Sequence, residues 1–272
     1  MSESTDIFSA QEIIESVGNG GEKKGVFTDI EVTCETHGIT YKTKFNNLIK
    51  RPTLCCPKCM EEEAAKEKAE EQRQRQRDFD SALDASEIPL KFKNKTLENF
   101  EAHSNEKNVV LSVAKNFAAN FKQTLATGRN LILYGTTGTG KTHIACGIAI
   151  EVMKQGYKAK FTETYDILLS VKETFRKDST TSESQIVRDL LVPDLLIIDE
   201  VGMQYGTDSE RIIMSNLINK RYGSVRPTIL LSNLNLEEIS EYMGNRVIDR
   251  MIEDDSAFLN LEWESYRKRN KN

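Results

Sequence analysis

From about residue 86 onward, short apolar runs alternate with amphipathic stretches along the chain. The apolar runs lie at residues 130–134, 158–162, 195–198 and 227–232, and the amphipathic stretches lie at 143–155, 166–175 and 209–221. This rhythm predicts strands of a parallel sheet that are connected by crossover helices. A run that is apolar at every position, such as 195–198, is typical of a strand covered on both faces. The sequence therefore predicts an α/β fold for this part of the chain.

The sequence before residue 86 follows other patterns. Its beginning is acidic, and Ser9 followed by Glu12 predicts a capped helix over residues 10–17. Residues 26–59 hold four of the five cysteines and two short alternating strands. Residues 60–85 are rich in charged residues, Gln and Ala and lack Gly and Pro, which predicts a helix with little apolar face. This helix is either a solvated linker or an arm that docks on a partner.

These patterns predict three regions. We expect a partner-binding region at 1–59, which includes a small module at about 26–59, a charged linker helix at 60–85 and an α/β domain at 86–272.

Composition narrows the function classes. The 272 residues include 37 Lys and Arg against 42 Asp and Glu, so the net charge of −5 does not predict nucleic-acid binding, which would have to be local. No apolar stretch approaches the ~18 residues of a membrane span, and the N-terminal sequence does not have the pattern of a secretory signal. We therefore expect a cytoplasmic protein with no membrane association, whose cysteines are metal ligands or buried apolar residues rather than disulfides.

The segment between the predicted strand 130–134 and the predicted helix 143–155 matches the phosphate-binding pattern G-x-x-x-x-G-K-[ST] in full. It consists of Gly135, Thr136, Thr137, Gly138, Thr139, Gly140, Lys141 and Thr142. Glycines let several backbone N–H groups turn toward one phosphate, and the helix N-terminus adds a partial positive charge. We expect Lys141 to neutralise the β- and γ-phosphates of ATP and the Thr142 hydroxyl to hold Mg²⁺.

Two carboxylates and an amide follow two of the predicted strands. Asp199 and Glu200 come directly after the run 195–198, and Asn233 follows the run 227–232. We expect Asp199 to coordinate the metal and Glu200 to orient and polarise the attacking water, which predicts ATP hydrolysis rather than passive binding. Asn233 either holds this water or senses the γ-phosphate, or it is an ordinary residue between a strand and a loop.

The cysteines suggest a metal site. Cys34-x2-His37 and Cys56-x2-Cys59 are separated by 18 residues, a spacing that fits a closed, four-ligand structural Zn²⁺ site. A module of about 30 residues has too small a core to fold alone, and Zn²⁺ would supply the missing free energy. Cys55 can replace Cys56 as a ligand if the turn shifts, and the alternative is a loop with reduced thiols.

Several longer stretches resemble the DnaC/IstB-type AAA+ ATPases, and among these most closely the bacterial helicase loaders. The resemblance covers about residues 86–269. It includes LENF at 97–100, GTTGTGKTH at 135–143, LLIIDEVG at 195–202, RPTILLSNLN at 226–235, GNRVIDRM at 244–251 and WESYR at 263–267. It implies a P-loop AAA+ domain, a parallel sheet flanked by helices, which hydrolyses ATP with Mg²⁺ and self-associates with nucleotide between neighbours.

The resemblance also implies roles for single residues. Arg250 matches the arginine finger that one subunit supplies to the next, with Arg246 as a second candidate on the same helical face. Arg267 matches the sensor arginine that contacts the γ-phosphate within its own subunit. A permanently charged guanidinium suits the charge that develops on the phosphates.

Residues 166–176 are similar to the family's extra helix that holds single-stranded DNA. The matching residues are Lys172, Thr174, Phe175 and Arg176. A base stacked on Phe175 with a phosphate on Lys172 or Arg176 is chemically reasonable. The alternative is an amphipathic crossover helix with Phe175 packed inside.

The expected function is ATP-dependent loading of a replicative hexameric helicase onto single-stranded DNA, with the N-terminal region gripping the helicase. The zinc spacing departs from the best-known pattern of these loaders, which leaves the partner open. The first alternative is an IstB-like helper of a DNA transposase. A small-molecule kinase and a nucleotide-gated scaffold are further alternatives, and Glu200 together with the C-terminal arginines argues against the kinase.

Overall fold

A computed structural model of the protein describes residues 27–176, 178, 180–203, 207–253 and 256–266. The chain divides into two compact units, Met1–Arg73 and Gln74–Asn272. Their boundary falls inside the predicted linker helix 60–85, and the functional division into three regions stays a prediction. The helix predicted over residues 10–17 lies outside the described residues.

The N-terminal unit contains a small antiparallel sheet. Its strands are β1 (Phe27–Thr33), β2 (Thr40–Asn46) and β3 (Arg51–Pro52), in the order β1-β2-β3. Exposed and half-buried side chains alternate along β1, which confirms the predicted alternating strand. Among the described residues of this unit, only Cys34, Thr43 and Cys56 are buried. The described part of this unit therefore has no apolar core of ordinary size.

The charged helix is confirmed as α1 (Pro57–Ala85). It begins three residues before the predicted start at residue 60, so that it includes Cys59. None of its 29 residues is buried, as the lack of an apolar face predicts. In the part of the chain that the structure describes, no helix combines the length and the apolar composition that crossing a bilayer requires.

The C-terminal unit alternates helices and strands, as predicted. Its helices are a 3-10 turn (Leu90–Phe92), α2 (Asn105–Ala119), α3 (Phe121–Thr127), α4 (Lys141–Lys154), α5 (Thr164–Glu173), α6 (Glu183–Leu191), α7 (Asp208–Gly223), α8 (Leu236–Met243) and α9 (Asn245–Ile252). Its strands are β4 (Leu131–Tyr134), β5 (Ala159–Glu163), β6 (Leu195–Asp199), β7 (Thr228–Leu231) and β8 (Ala257–Asn260).

All five strands are parallel, in the order β5-β6-β7-β4-β8. Strand β4 leads into the phosphate-binding pattern, and β6 ends at Asp199. Only β7 lies between these two strands in the sheet. Because parallel strands present their carboxyl ends at one edge, the residues after β4, β6 and β7 meet there.

Helices cover both faces of this sheet. Leu195 and Ile197 of β6 belong to one cluster of buried apolar residues, and Leu196 and Ile198 belong to a second cluster on the other face. This arrangement confirms that the apolar run 195–198 is a strand covered on both faces. Several of the described elements of this unit were not predicted, among them α2, α3, α6, α8 and the short edge strand β8.

One buried arginine fixes the amino ends of two strands. The Arg221 side chain is fully buried and donates hydrogen bonds to the carbonyl oxygens of Leu190, Pro193 and Pro227 and to the Thr228 hydroxyl. These acceptors lie just before β6 and at the start of β7. Arg221 therefore holds the end of the sheet opposite to the predicted site.

Candidate functional site

The phosphate-binding pattern forms the loop between β4 and α4. Gly140 caps the N-terminus of α4, and Lys141 is its first residue. The Lys141 side chain is buried, and its Nζ donates to the carbonyl oxygens of Gly135 and Thr136 at 2.8 Å each. A helix N-terminus and a lysine ammonium thus meet at one loop, which is the arrangement that binds phosphate groups.

Two glycines of this loop are required by close contacts as well as by backbone conformation. Gly135 and Gly138 have φ angles of 120° and 80°, which side chains rarely tolerate. A Cβ atom on Gly135 would lie 2.6 Å from the carbonyl oxygen of Leu261, and one on Gly138 would lie 2.1 Å from the Ser265 hydroxyl. The loop therefore packs directly against the segment that follows β8.

That segment, residues 261–266, holds the outer side of the loop. The Trp263 indole Nε1 donates to the carbonyl oxygen of Thr139 at 2.9 Å, and the Tyr266 backbone N–H donates to that of Gly138 at 2.9 Å. Lys107 Nζ lies 5.5 Å from the centre of the Trp263 ring. Trp263 is the one tryptophan of the chain and lies in the WESYR stretch, but the sequence patterns predict no role for it.

The two halves of the predicted metal site meet directly. The Thr142 hydroxyl donates to Asp199 Oδ2 at 2.9 Å. Burial raises the pKa of Asp199, while hydrogen bonds from the Glu200 amide and the Thr142 hydroxyl and the charge of Lys141 act in the opposite direction. A hydroxyl and a carboxylate side by side are oxygen ligands of the kind that Mg²⁺ prefers, so these residues fit the ion.

The backbone at Glu200 is unusual. Its φ angle is 58°, in the left-handed region that costs a non-glycine residue about 1–2 kcal/mol. Its N–H donates to Asp199 Oδ1 at 2.7 Å, and its side chain is exposed. Strained residues of this kind cluster at functional sites, where surrounding contacts hold them in place.

Asn233 comes shortly after β7, the strand that lies between β4 and β6 in the sheet. The preceding Ser232 donates its N–H to the carbonyl oxygen of Leu133 on β4 and its hydroxyl to that of Val201 after β6, at 3.0 and 2.6 Å. Asn233 is half-buried. The structure thus places it at the same edge of the sheet as the phosphate loop and Asp199.

The two candidates for the arginine finger, Arg246 and Arg250, both lie on α9. Arg250 on α9 donates to Asn219 Oδ1, and its guanidinium lies 5.3 Å from the Tyr222 ring centre. Both partners belong to α7. Arg246 is exposed on the same helix, and Arg267 lies outside the described residues.

The predicted DNA-contacting residues lie at the end of α5. Phe175 has 72% of its surface exposed, which contradicts the alternative that it packs inside. Lys172 forms an ion pair with the buried Glu210 at 3.1 Å, the Thr174 hydroxyl donates to the carbonyl oxygen of Val171, and Arg176 is exposed.

Two further apolar side chains on α5 are exposed and were not predicted. Tyr165 and Leu169 expose 58% and 41% of their surfaces. They are four residues apart and therefore neighbours on one face of the helix.

The cysteine pattern forms one cluster in the N-terminal unit. The ligand atoms of Cys34, His37, Cys56 and Cys59 all lie within 4.8 Å of one another. His37 Nδ1 lies 3.6, 3.9 and 3.3 Å from the three sulfur atoms, and the Sγ atoms of Cys34 and Cys59 are 3.5 Å apart. Tetrahedral Zn²⁺ with its usual bond lengths requires separations of about 3.6 Å, so the cluster fits this ion.

A carboxylate supports the cluster from α1. His37 Nε2 lies 3.0 Å from Glu62 Oε1, which orients the ring so that Nδ1 faces the three sulfurs. The exposed Cys55 is not among the four, so the structure selects Cys56 from the two candidates.

We predict that Trp263→Phe weakens ATP binding about fivefold, because the loss of one hydrogen bond to the phosphate loop costs about 1 kcal/mol. The ring remains, so packing is largely preserved. Titration with a fluorescent ATP analogue measures the change. Tyr266→Phe is the matched control, since it removes only an exposed hydroxyl 3.3 Å from Glu101. Equal affinities for both variants and the wild type would contradict the assigned role.

Comparisons with known proteins agree with this geometry. The family described as IstB-like ATP binding protein matches residues 57–272. The replicative helicase loader DnaC of Escherichia coli (strain K12) is 36% identical over 176 residues, which cover 65% of this chain and 70% of that protein. The DnaC of Buchnera aphidicola subsp. Baizongia pistaciae (strain Bp) is 34% identical over 188 residues, 69% of this chain and 75% of that protein.

Solved structures share the fold. A crystal structure of the DnaC helicase loader superimposes with a TM-score of 0.57 at 22% identity, over 64% of this chain and 99% of the other. A crystal structure of DnaI gives a TM-score of 0.54 at 16% identity, over 66% and 94%. Since the family match spans most of the sequence and the C-terminal unit has the matching fold, this chain belongs to the IstB-like ATP-binding proteins, the DnaC/IstB-type AAA+ ATPases.

Proposed function

We propose that this chain is an ATP-dependent loader of a replicative hexameric DNA helicase onto single-stranded DNA. The observation that carries the proposal is the similarity at 36% identity, over 176 residues, to a protein named replicative helicase loader. The same likeness is the reason to prefer it to a role as helper of a DNA transposase.

The residues around the phosphate loop carry out the hydrolysis of ATP. Lys141 neutralises the β- and γ-phosphates. Thr142 and Asp199 would hold Mg²⁺, which would supply further charge neutralisation. The Glu200 carboxylate accepts a hydrogen bond from the attacking water and directs its oxygen toward the γ-phosphorus. The bond from this phosphorus to the ADP oxygen breaks as the new bond forms. Asn233 holds the same water or contacts the γ-phosphate.

A neighbouring copy completes the pocket. Arg250, or Arg246 on the same helix, is the group that reaches the neighbour's γ-phosphate, and Arg267 acts within its own chain. Arg250 contacts Asn219 and Tyr222 in the single chain, so engagement would exchange these contacts for the phosphate. A guanidinium suits this exchange because its charge persists in both places.

Single-stranded DNA lies along α5. Phe175 offers an exposed aromatic face to a base, and Arg176 offers a charge to a phosphate. Lys172 already has Glu210 as a partner, so its contribution to DNA binding is smaller than that of Arg176. The hydroxyl of Thr174 is engaged by its own helix and makes the weakest of the four contributions.

The N-terminal unit binds the helicase and is held together by Zn²⁺. Cys34, His37, Cys56 and Cys59 would coordinate the ion as a closed structural site. The unit exposes Leu48, Ile49 and Leu54 by 75%, 64% and 56%, which offers apolar surface to a protein partner. Cytoplasmic location follows from the proposed partner.

We predict that the chain co-purifies with a replicative hexameric helicase in an ATP-dependent manner. Glu200→Gln should stabilise the complex, because it removes turnover and keeps ATP bound, and Lys141→Ala should weaken it. Analytical size exclusion with ATP and single-stranded DNA measures the complex. Capture of a transposase and no helicase would contradict the loader function and leave the ATPase intact. Turnover unaffected by Glu200→Gln would instead contradict the hydrolytic role.

Zinc content tests the N-terminal site. The purified protein should carry about one Zn²⁺ per chain, and Cys56→Ser should abolish it because a closed site needs all four ligands. Cys55→Ser, at the adjacent position, should leave it unchanged. Elemental analysis by mass spectrometry gives the stoichiometry. Equal zinc loss in both variants, or none in either, would rule out the assigned ligand set.

DNA binding tests the face of α5. Phe175→Ala should weaken binding of a single-stranded oligonucleotide about tenfold, since stacking of one base contributes about 1–3 kcal/mol. Fluorescence anisotropy measures the affinity. Leu90→Ala, which removes another exposed apolar side chain, serves as the control. If both variants bind like the wild type, DNA does not stack on Phe175.

A further inference from the structure

The peptide group between Asp199 and Glu200 is held at both ends. Its N–H donates to Asp199 Oδ1 at 2.7 Å, and its carbonyl oxygen accepts a hydrogen bond from the Thr164 hydroxyl at 3.0 Å. Thr164 is fully buried and is the first residue of α5. Its side chain therefore connects the start of α5 to the backbone from which Glu200 projects.

The backbone after Glu200 is held as well. The Val201 N–H donates to the carbonyl oxygen of Leu231 at 3.0 Å, and the Glu200 carbonyl oxygen accepts from the Met203 N–H at 3.2 Å. The left-handed conformation of Glu200 is thus enclosed by hydrogen bonds on each side. The bond from Thr164 to the Asp199–Glu200 peptide comes from a side chain on α5, and the Ser232 hydroxyl after β7 bonds to the carbonyl oxygen of the next residue, Val201.

We propose that Thr164 is a positioning residue for Glu200. The Thr164 hydroxyl fixes the Asp199–Glu200 peptide and so keeps the Glu200 carboxylate where it can direct the attacking water. The proposal rests on the hydrolytic role of Glu200 under the proposed function. Without the Thr164 bond this peptide can rotate and relieve the strained φ angle of 58°.

Thr164→Val and Thr164→Ser form a matched pair for the test. Valine keeps the shape and removes the hydroxyl, and serine keeps the hydroxyl. Since a misplacement of about 1 Å can cost about 100-fold in rate, we expect Thr164→Val to lower kcat at least about tenfold. We expect its ATP affinity to stay within about twofold of the wild type, and Thr164→Ser to restore most of the turnover. Phosphate release at saturating ATP measures kcat, and titration with a fluorescent ATP analogue measures the affinity for ATP.

A second comparison separates positioning from general support. In the Glu200→Gln background, Thr164→Val should change the residual turnover little, because both substitutions act on the same group. An equal further decrease in that background would overturn the proposal, as would wild-type turnover of Thr164→Val. A parallel loss of ATP affinity or of folding would also overturn it, since the hydroxyl would then support the whole loop. If Glu200→Gln turns over like the wild type, the proposed role of Glu200 fails first, and the inference fails with it.

Discussion

The hydrogen bond between the Thr142 hydroxyl and the Asp199 carboxylate joins two parts of the chain that are 57 residues apart. It exists because β7 alone separates β4 from β6 in the sheet. Ser232, directly after β7, donates hydrogen bonds to the carbonyl oxygens of Leu133 and Val201. These bonds fix the carboxyl ends of β4, β6 and β7 relative to one another. The order of the strands therefore determines where the site forms, and the side chains at the strand ends supply its chemical groups.

Sequence patterns predicted the parts of this site that depend on local chemistry. Glycines at special φ angles, a lysine at a helix start and carboxylates after a fully apolar strand leave clear signals. The four-residue strand β8 and the contact of Trp263 with the phosphate loop leave none. The strand pairs with β4, 126 positions away in the chain, and Trp263 contacts Thr139, 124 positions away. The strain at Glu200 and its support from Thr164 are likewise visible only in three dimensions. Helix α2 has a weakly apolar pattern and is fixed by its packing against the core.

The N-terminal unit differs from the C-terminal unit in what stabilises its fold. Its spacing of cysteines and histidine predicted the cluster, and the structure brought the four ligand atoms together. Because few of its described residues are buried, the Zn²⁺ that we propose for this cluster would supply much of the free energy of folding of the three strands. The family match begins at residue 57, so most of this unit lies outside it. If this unit binds the helicase, as we propose, the partner-binding region is the part of the chain that the family match covers least.

The proposed site binds a triphosphate jointly through the phosphate loop and, by way of Mg²⁺, through Asp199. The most direct measurement is the affinity for ATP with and without Mg²⁺, compared between the wild type and Asp199→Asn. We predict that Mg²⁺ tightens binding to the wild type at least about tenfold and that Asp199→Asn removes most of this gain. An undiminished Mg²⁺ dependence in Asp199→Asn would contradict the proposed joint binding.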